Sequence, residues 1–179
     1  MKKLTLDELG RISIGEYKDA RKLPLTIVLD NIRSLHNVGS AFRTADAFLV
    51  EKIILTGITG TPPHREIQKT ALGATESVPW EYEASGLSAI QKLKREGYKI
   101  LIVEQTTESV SLDEFLPEPG SRYALVFGNE VNGVSEELIG EADRAIEIPQ
   151  SGTKHSLNVS VCLGIVVWEI FRKTRPVSK

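Results

Sequence analysis

The sequence predicts an α/β fold with a largely parallel six-stranded sheet and helices on both faces. Short β-branched segments recur along the chain, segments with helical spacing lie between most of them, and turn residues separate the two kinds. The 179 residues, of which 41% are apolar, include no biased stretch. A chain of this length and composition can form one compact domain with a hydrophobic core.

The predicted elements alternate in chain order. Strands are predicted at residues 25–29, 52–56, 78–82, 99–103, 123–127 and 145–148, and helices at 38–48, 85–96 and 135–141. Such alternation is typical of parallel strands joined by crossover helices. Residues 1–24 are polar and too short to fold alone, so we expect an arm or a helix packed on a domain spanning 25–179. No separate substrate-binding domain is predicted within these residues.

The last predicted helix, residues 156–172, is apolar on every face. Its apolar residues are Leu157, Val159, Val161, Leu163, Ile165, Val166, Val167, Trp168, Ile170 and Phe171. A helix of this kind must be covered on all sides. In a domain of this size a second copy of the chain is the simplest cover, so we expect a homodimer.

The composition argues against several classes of function. The 22 basic and 24 acidic side chains nearly cancel, so any binding of nucleic acid must be local. The single cysteine, Cys162, permits neither an intramolecular disulfide nor a cysteine-based metal site, which predicts a reduced, cytoplasmic setting without a metal. No apolar run reaches membrane-spanning length and residues 1–10 do not resemble a signal peptide, so we expect a soluble, unprocessed protein.

Residues 29–45 are predicted to form a strand end, a polar loop and a helix. Asn37 is the expected N-cap of that helix. Apolar residues at helical spacing face the core and leave Arg43 pointing away from it, into a crevice. Taken alone, this segment is better explained by a plain cap at Asn37 and by a solvated Arg43 or an Arg43–Asp46 pair.

Residues 125–136 run from a strand directly into a glycine-marked turn and a helix start, which is where parallel sheets bind ligands. Gly128 would let the backbone come close to a flat ligand, and the Glu130 carboxylate could accept hydrogen bonds or orient Arg43. The same residues could equally form only a tight turn, with Ser135 as the N-cap of the next helix.

Residues 146–161 contain a strand that ends at Pro149, a polar loop and the start of the apolar helix. Ser156 and Asn158 open that helix, and their backbone N–H groups are free to bind a ligand. Taken alone, Ser156 is better explained as a simple cap and His155 as an exposed loop imidazole.

Together the three segments resemble the signature motifs of the TrmH (SpoU) branch of the SPOUT methyltransferases. The matching residues are Asn37 with Arg43, then Phe127, Gly128, Asn129 and Glu130 with Gly133, then Ser156, Leu157, Asn158, Val159, Ser160 and Val161. The resemblance runs from about Leu25 to Phe171 and includes residues 69–74. It implies a deep C-terminal trefoil knot, an α/β fold of the SPOUT type and a homodimer. It also implies methyl transfer from S-adenosylmethionine to a ribose 2′-hydroxyl of RNA, with tRNA favoured over rRNA.

The resemblance also assigns residues to roles. Those that match the catalytic set are Asn37, Arg43, Glu130, Ser156 and Asn158, and those that match cofactor-binding positions are Gly128, Ile148 and Leu157. We add Gln105 and Thr106 to the cofactor wall because they follow a strand, and we expect RNA contacts from Arg33, Lys69, Lys154 and His155.

The family's arginine has been proposed as a base, but a free guanidinium keeps its proton to a pKa above ~12. We therefore expect Arg43 to hold RNA phosphate and ribose while Asn37 and Ser156 position the 2′-oxygen and Glu130 orients Arg43. The alternative is a catalytically silent module of the same fold that binds RNA or a nucleotide. An ordinary nucleotide-binding enzyme is disfavoured, since no P-loop or Gly-x-Gly-x-x-Gly turn follows a predicted strand.

Overall fold

The computed structural model describes residues 1–5, 7–154 and 156–174. Within them, the strands are β1 Leu23–Asp30, β2 Val50–Thr56, β3 Trp80–Glu83, β4 Tyr98–Val103, β5 Val110–Ser111, β6 Arg122–Phe127 and β7 Arg144–Glu147. They form one seven-stranded sheet in the order β3-β2-β1-β6-β4-β7-β5, and every neighbouring pair is parallel. The six predicted strands are present. The seventh, β5, is two residues long and too short to show a hydropathy period.

The helices in the described residues are α1 Ile14–Asp19, α2 Leu35–Ala47, α3 Arg65–Ala71, α4 Ala74–Ser77, α5 Gly86–Arg95, α6 Glu136–Glu141 and α7 Val159–Thr174, and a 3-10 turn lies at Asp7–Leu9. Helices α2, α5, α6 and α7 correspond to the predicted ones. Helix α1 lies within the predicted N-terminal segment, and its buried Tyr17 donates a hydrogen bond to the Val50 carbonyl oxygen. This contact joins α1 to the start of β2.

Alternate residues of each central strand face opposite sides of the sheet, and each side carries its own hydrophobic core. On one side, Leu25 and Ile27 of β1 pack with Phe42 of α2 and Val166 of α7. On the other side, Val28 packs with the buried residues of α5 and α6. The period-2 alternation therefore produces the predicted sheet with helices on both faces.

Helix α2 begins earlier than expected. Ser34 is its N-cap and accepts a hydrogen bond from the Asn37 backbone N–H, so the prediction that Asn37 is the N-cap is wrong. Asn37 lies in the first turn, where its side chain is available for other contacts. A Cβ added at Gly39 would lie 2.1 Å from Thr70 Oγ1 and 2.2 Å from the Ile67 carbonyl oxygen. Glycine at this position therefore allows α2 and α3 to pack closely.

Helix α7 is buried on one face only. Leu163, Val166, Val167 and Ile170 are buried, while Val161, Ile165 and Trp168 are 51%, 39% and 50% exposed. The predicted burial on all sides is therefore not met within one chain. The three exposed residues recur at helical spacing and form a continuous apolar surface, the α7 stripe. Among the described residues, no helix combines the length and apolar character needed to cross a bilayer.

Candidate functional site

A cavity of about 640 Å³ opens at the carboxyl ends of β4, β6 and β7. Its wall comes from three segments: the residues after β4, the turn after β6, and the chain between β7 and α7. The carboxyl edge of a parallel sheet is where ligands bind in open α/β folds. The volume lies in the range of about 300–1,000 Å³ typical of small-molecule sites.

The turn after β6 is tightly closed. Asn129 and Gly133 form an isolated β-bridge, and a Cβ at Gly128 would lie 2.2 Å from the Gly133 carbonyl carbon. We expected glycine at Gly128 to allow the approach of a ligand. The contact that requires glycine here is the one with Gly133 inside the turn, although Gly128 also lines the cavity.

Asn129 organises this turn, a role that sequence reasoning missed. Its Oδ1 accepts hydrogen bonds from the N–H groups of Val131 (2.9 Å) and Asn132 (3.2 Å), and its Nδ2 donates to the Asn31 carbonyl oxygen (2.7 Å). Asn31 has φ +56°, a left-handed conformation that asparagine tolerates better than most residues. Asn129 belongs to the second motif, and its short polar side chain after a strand end is the available signal for this role.

The Glu130 carboxylate accepts three hydrogen bonds from the segment that follows β1. Its Oε2 accepts from the Arg33 backbone N–H (2.9 Å), and its Oε1 accepts from the Ser34 N–H and the Asn37 Nδ2 (3.0 Å each). Desolvation by itself would raise the pKa of Glu130, but these hydrogen bonds outweigh it and hold the pKa below its ordinary value. The carboxylate is therefore ionised at neutral pH.

Asn37 extends this contact to the start of α7. Its Oδ1 accepts a hydrogen bond from Asn158 Nδ2 (3.2 Å), and Asn158 Oδ1 in turn accepts from the Ser160 N–H (2.9 Å) and caps the helix. Residues from the three sequence segments, Glu130, Asn37 and Asn158, thus form one hydrogen-bonded chain. Glu130 and Asn158 also line the cavity.

Arg43 lies elsewhere. It points away from the core, as expected, but into a second depression between α2 and α3 and not into the large cavity of its own chain. The depression is lined by Ser40, Arg43, Thr44, Ala47, Phe48, Lys69 and Thr70. In the part of the chain that the structure describes, the Arg43 side chain makes no hydrogen bond or ion pair, and the expectation that Glu130 orients it is wrong for a single chain.

The cofactor positions fall into two groups. The predicted residues Gln105, Gly128, Ile148 and Leu157 line the cavity, as does Ser156 from the catalytic set. Thr106 is not among the lining residues and belongs instead to a turn in which its Oγ1 accepts a hydrogen bond from the Glu108 N–H (3.3 Å). The prediction of Thr106 as cavity wall is therefore wrong.

The predicted RNA contacts are spread over the surface. Arg33 and Lys154 are exposed, and Lys69 forms an ion pair with Glu66 (2.7 Å). His155 lies outside the described residues. Because Lys69 and Arg43 line the same depression, the structure brings together two of the predicted cations.

Glu104, Glu147 and Cys162 line the cavity but were not predicted to do so. Glu104 and Glu147 lie at the carboxyl ends of β4 and β7, so their position at strand ends was the available signal. Burial, with a smaller effect of Glu104, raises the pKa of the Cys162 thiol to about 11. Over residues 1–5, 7–154 and 156–174, no group of three or more His, Cys, Asp or Glu side chains is arranged to hold a metal ion.

Comparison with known proteins finds consistent likenesses. The model of the SpoU rRNA methylase family matches residues 24–168. The chain is 30% identical over 166 residues to the 23S rRNA (guanosine-2′-O-)-methyltransferase RlmB of Haemophilus ducreyi, covering 93% of this chain and 67% of that protein. It is 33% identical over 150 residues to the RlmB of Neisseria meningitidis, covering 84% and 59%. The chain thus spans about two thirds of the length of the curated relatives it matches.

Solved structures show the same similarity as the family model and the curated relatives. An AdoMet-bound rRNA methyltransferase from Sinorhizobium meliloti superposes with a TM-score of 0.80 at 28% identity, covering 89% of this chain and 61% of that one. The A. aeolicus TrmH/SpoU tRNA modifying enzyme superposes with a TM-score of 0.78 at 29% identity, covering 89% and 81%. These likenesses confirm the predicted SPOUT fold class, an α/β fold with a C-terminal trefoil knot.

Proposed function

Because the chain belongs to the SpoU rRNA methylase family, we propose that it transfers a methyl group from S-adenosylmethionine to a ribose 2′-hydroxyl of RNA. The observation that carries this proposal is the hydrogen-bonded chain of Glu130, Asn37 and Asn158 beside a cofactor-sized cavity. These residues come from three distant segments. A shared location at the carboxyl edge of the sheet is what a site for group transfer requires.

The cavity suits S-adenosylmethionine in size and chemistry. Apolar residues such as Ile146, Ile148 and Leu157 offer contacts for a purine ring, and nearby carboxylates offer partners for cationic groups. Gly128, Ile148 and Leu157 would hold the adenine and ribose, with Gln105 in the wall. When bound, the cofactor supplies a methyl group already activated by the sulfonium.

The side chains around the cavity would position the acceptor. Glu130 fixes the Asn37 amide by a charge-assisted hydrogen bond, and Asn158 fixes the same amide from its other side. We propose that Asn37 and the Ser156 hydroxyl hold the ribose 2′-oxygen, and that within its own chain Glu130 acts by holding Asn37.

A homodimer is part of the proposal because two features of the single chain remain incomplete without one. The α7 stripe exposes apolar side chains, and Arg43 lies outside the cavity of its own chain. The two features adjoin, since Phe48 lines the Arg43 depression and its ring lies 5.8 Å from that of Trp168 in the stripe. A second copy covering the stripe could bring Arg43 of either copy to the cavity of the other.

The RNA acceptor that we propose is a tRNA loop, with rRNA as the alternative. Loop nucleotides are splayed and expose the 2′-hydroxyl that distinguishes RNA. Arg43 and Lys69 would contact phosphate from the shared depression, with Arg33, Lys154 and His155 as further contacts. The lone Cys162 is consistent with a cytoplasmic location.

The test is methylation in vitro of tRNA and rRNA taken from a deletion strain, with the product identified by nucleoside mass spectrometry. Arg43→Ala is expected to lower the rate at least about a hundredfold while cofactor affinity stays within about twofold, because the guanidinium acts on the acceptor. Arg95→Ala, an exposed arginine at the end of α5, is the matched control.

Two other outcomes would contradict the proposed methyl transfer. Cofactor binding without methylation of either RNA would favour the catalytically silent module. Absence of cofactor binding by the wild-type protein would overturn the proposal. A ligand at a hundred times its Kd stabilises a protein by about 2.7 kcal/mol, so a thermal-shift titration detects it.

A further inference from the structure

Within one chain, the cavity wall carries charge of one sign. Three carboxylates, Glu104, Glu130 and Glu147, line it, and no lysine, arginine or histidine is among its described lining residues. The whole chain has a net charge of only −2. The accumulation of negative charge is therefore a local property of this cavity.

The three carboxylates differ in how they are held. Glu130 accepts the three hydrogen bonds described above. Glu104 accepts from the Val134 N–H (3.0 Å) and the Gln105 N–H (2.9 Å), which hold it against the turn after β6. Glu147, the last residue of β7, is half-buried, and its side chain makes no hydrogen bond or ion pair within the described residues. Its charge is not compensated by any described partner.

A half-buried, uncompensated carboxylate favours a cationic ligand. The effective dielectric beside a cavity is lower than in water, so a unit charge interacts more strongly there. S-adenosylmethionine carries a sulfonium, an ammonium and a carboxylate, with a net charge of +1. Its demethylated product, S-adenosylhomocysteine, lacks the sulfonium charge and has a net charge of zero.

Resting on the proposed function, we infer that the cavity selects the methyl donor over the demethylated product by charge, with Glu147 as the specificity-determining residue and Glu104 contributing. The wall attracts the cationic donor. The attraction weakens when methyl transfer removes the sulfonium charge and leaves a zwitterion with no net charge, which favours release of the product. This selection needs no change in the shape of the cavity.

The test is calorimetric titration of the full chain with three probes: S-adenosylmethionine, S-adenosylhomocysteine and sinefungin, which carries an amine in place of the sulfonium. Glu147→Gln is expected to weaken both cationic probes about tenfold, equivalent to about 1.4 kcal/mol, and to leave S-adenosylhomocysteine within about twofold. Glu114→Gln, an exposed glutamate outside the cavity wall, is the matched control and should change none of the three affinities.

Glu147→Gln carries the test because it breaks no hydrogen bond, whereas Glu104→Gln would place an amide against the Val134 N–H. Added salt provides a second measurement, since it should weaken the cationic probes more than the neutral one in the wild-type protein. Equal losses for all three probes in Glu147→Gln would overturn the inference and leave the proposed function standing. If the wild-type protein binds none of the probes, the proposed function itself fails.

Discussion

Replacing Asn37 by aspartate tests the hydrogen-bonded chain directly. Asn37 Nδ2 lies 3.0 Å from Glu130 Oε1, so Asn37→Asp exchanges a hydrogen-bond donor for a second carboxylate oxygen at nearly the same place. Two carboxylates so close cannot both ionise freely, and the pair is expected to share a proton. The apparent pKa of the pair then rises above the ordinary carboxyl range.

The size of this effect follows from the distance. Two unit charges separated by 3.0 Å repel by about 1.4 kcal/mol at the dielectric of water and by about 5.5 kcal/mol at an effective dielectric of about 20. One pKa unit corresponds to about 1.36 kcal/mol, so the range is about one to four units. Glu130 is exposed, so the lower part of this range applies, and the pKa of the pair should rise by about one to two units. The lost hydrogen bond costs a further amount, about 1–3 kcal/mol, at any pH.

Urea denaturation between pH 4 and 8 separates the two contributions, with Asn37→Ala as the control that loses the same hydrogen bond without adding charge. A carboxyl pair with a raised pKa in the folded state loses stability as pH rises through that pKa. Asn37→Asp should therefore match or exceed Asn37→Ala in stability at pH 4, near the pKa of an unfolded carboxyl group, and fall about 1.4–2.7 kcal/mol below it at pH 8. Parallel pH profiles for the two variants would refute the contact.

Further outcomes are expected elsewhere in the chain. In a urea titration, Gly128→Ala should lower the free energy of unfolding by about 3 kcal/mol, because its Cβ would meet Gly133 backbone atoms at 2.2–2.3 Å. Gly140→Ala is the control: a Cβ at Gly140 has no heavy atom within 4 Å, so this substitution should not lower the free energy of unfolding. Cys162, with its pKa raised from 9.0 to about 11, should be alkylated about a hundredfold more slowly at pH 8 than a thiol of the ordinary pKa, as followed by mass spectrometry. Trp168→Glu in the α7 stripe should dissociate the proposed homodimer and halve the mass found by sedimentation.

Each of these three predictions would be contradicted by a specific measurement. Equal losses for Gly128→Ala and Gly140→Ala would mean that the turn after β6 can open freely. Rapid alkylation of Cys162 would contradict its burial in the cavity wall. A wild-type chain that already sediments as a monomer of 19.8 kDa would remove the dimer from the proposal. Arg95→Glu, on the opposite face of the sheet, is the control for the negative charge that Trp168→Glu adds.

Much of the fold was predictable from local patterns. The strands β1, β2, β4 and β6 are buried on both faces and appear as continuous apolar segments, which can be recognised one at a time. Strand β5 was missed because two residues carry no period, and it forms only because β7 offers a free edge. The short helices α3 and α4 were missed because helices of this length depend on tertiary packing more than on propensity.

The candidate site was predictable only in part. The motifs identified Asn37, Glu130 and Asn158 as members of a site, but not the hydrogen bonds that join them. Ser34 and Asn37 are both good capping residues, and no local rule chooses between them. In the fold, Ser34 accepts the capping hydrogen bond while Glu130 and Asn158 engage the Asn37 side chain.

The position of Arg43 was also predictable only in part. Helical spacing correctly placed its side chain away from the core, because that depends only on the 3.6-residue period of α2. Which of two depressions it faces depends on how α2 packs against α3 and the sheet.

The sequence by itself determined the alternation of strands and helices, the residues that face the core and the segments that carry chemistry, because each of these depends on neighbours within a few positions. Only the tertiary structure decided which carboxylates share the cavity, which face of α7 stays exposed and where Arg43 lies. These depend on the close packing of elements far apart in the chain, where a displacement of about 1 Å decides whether a hydrogen bond forms.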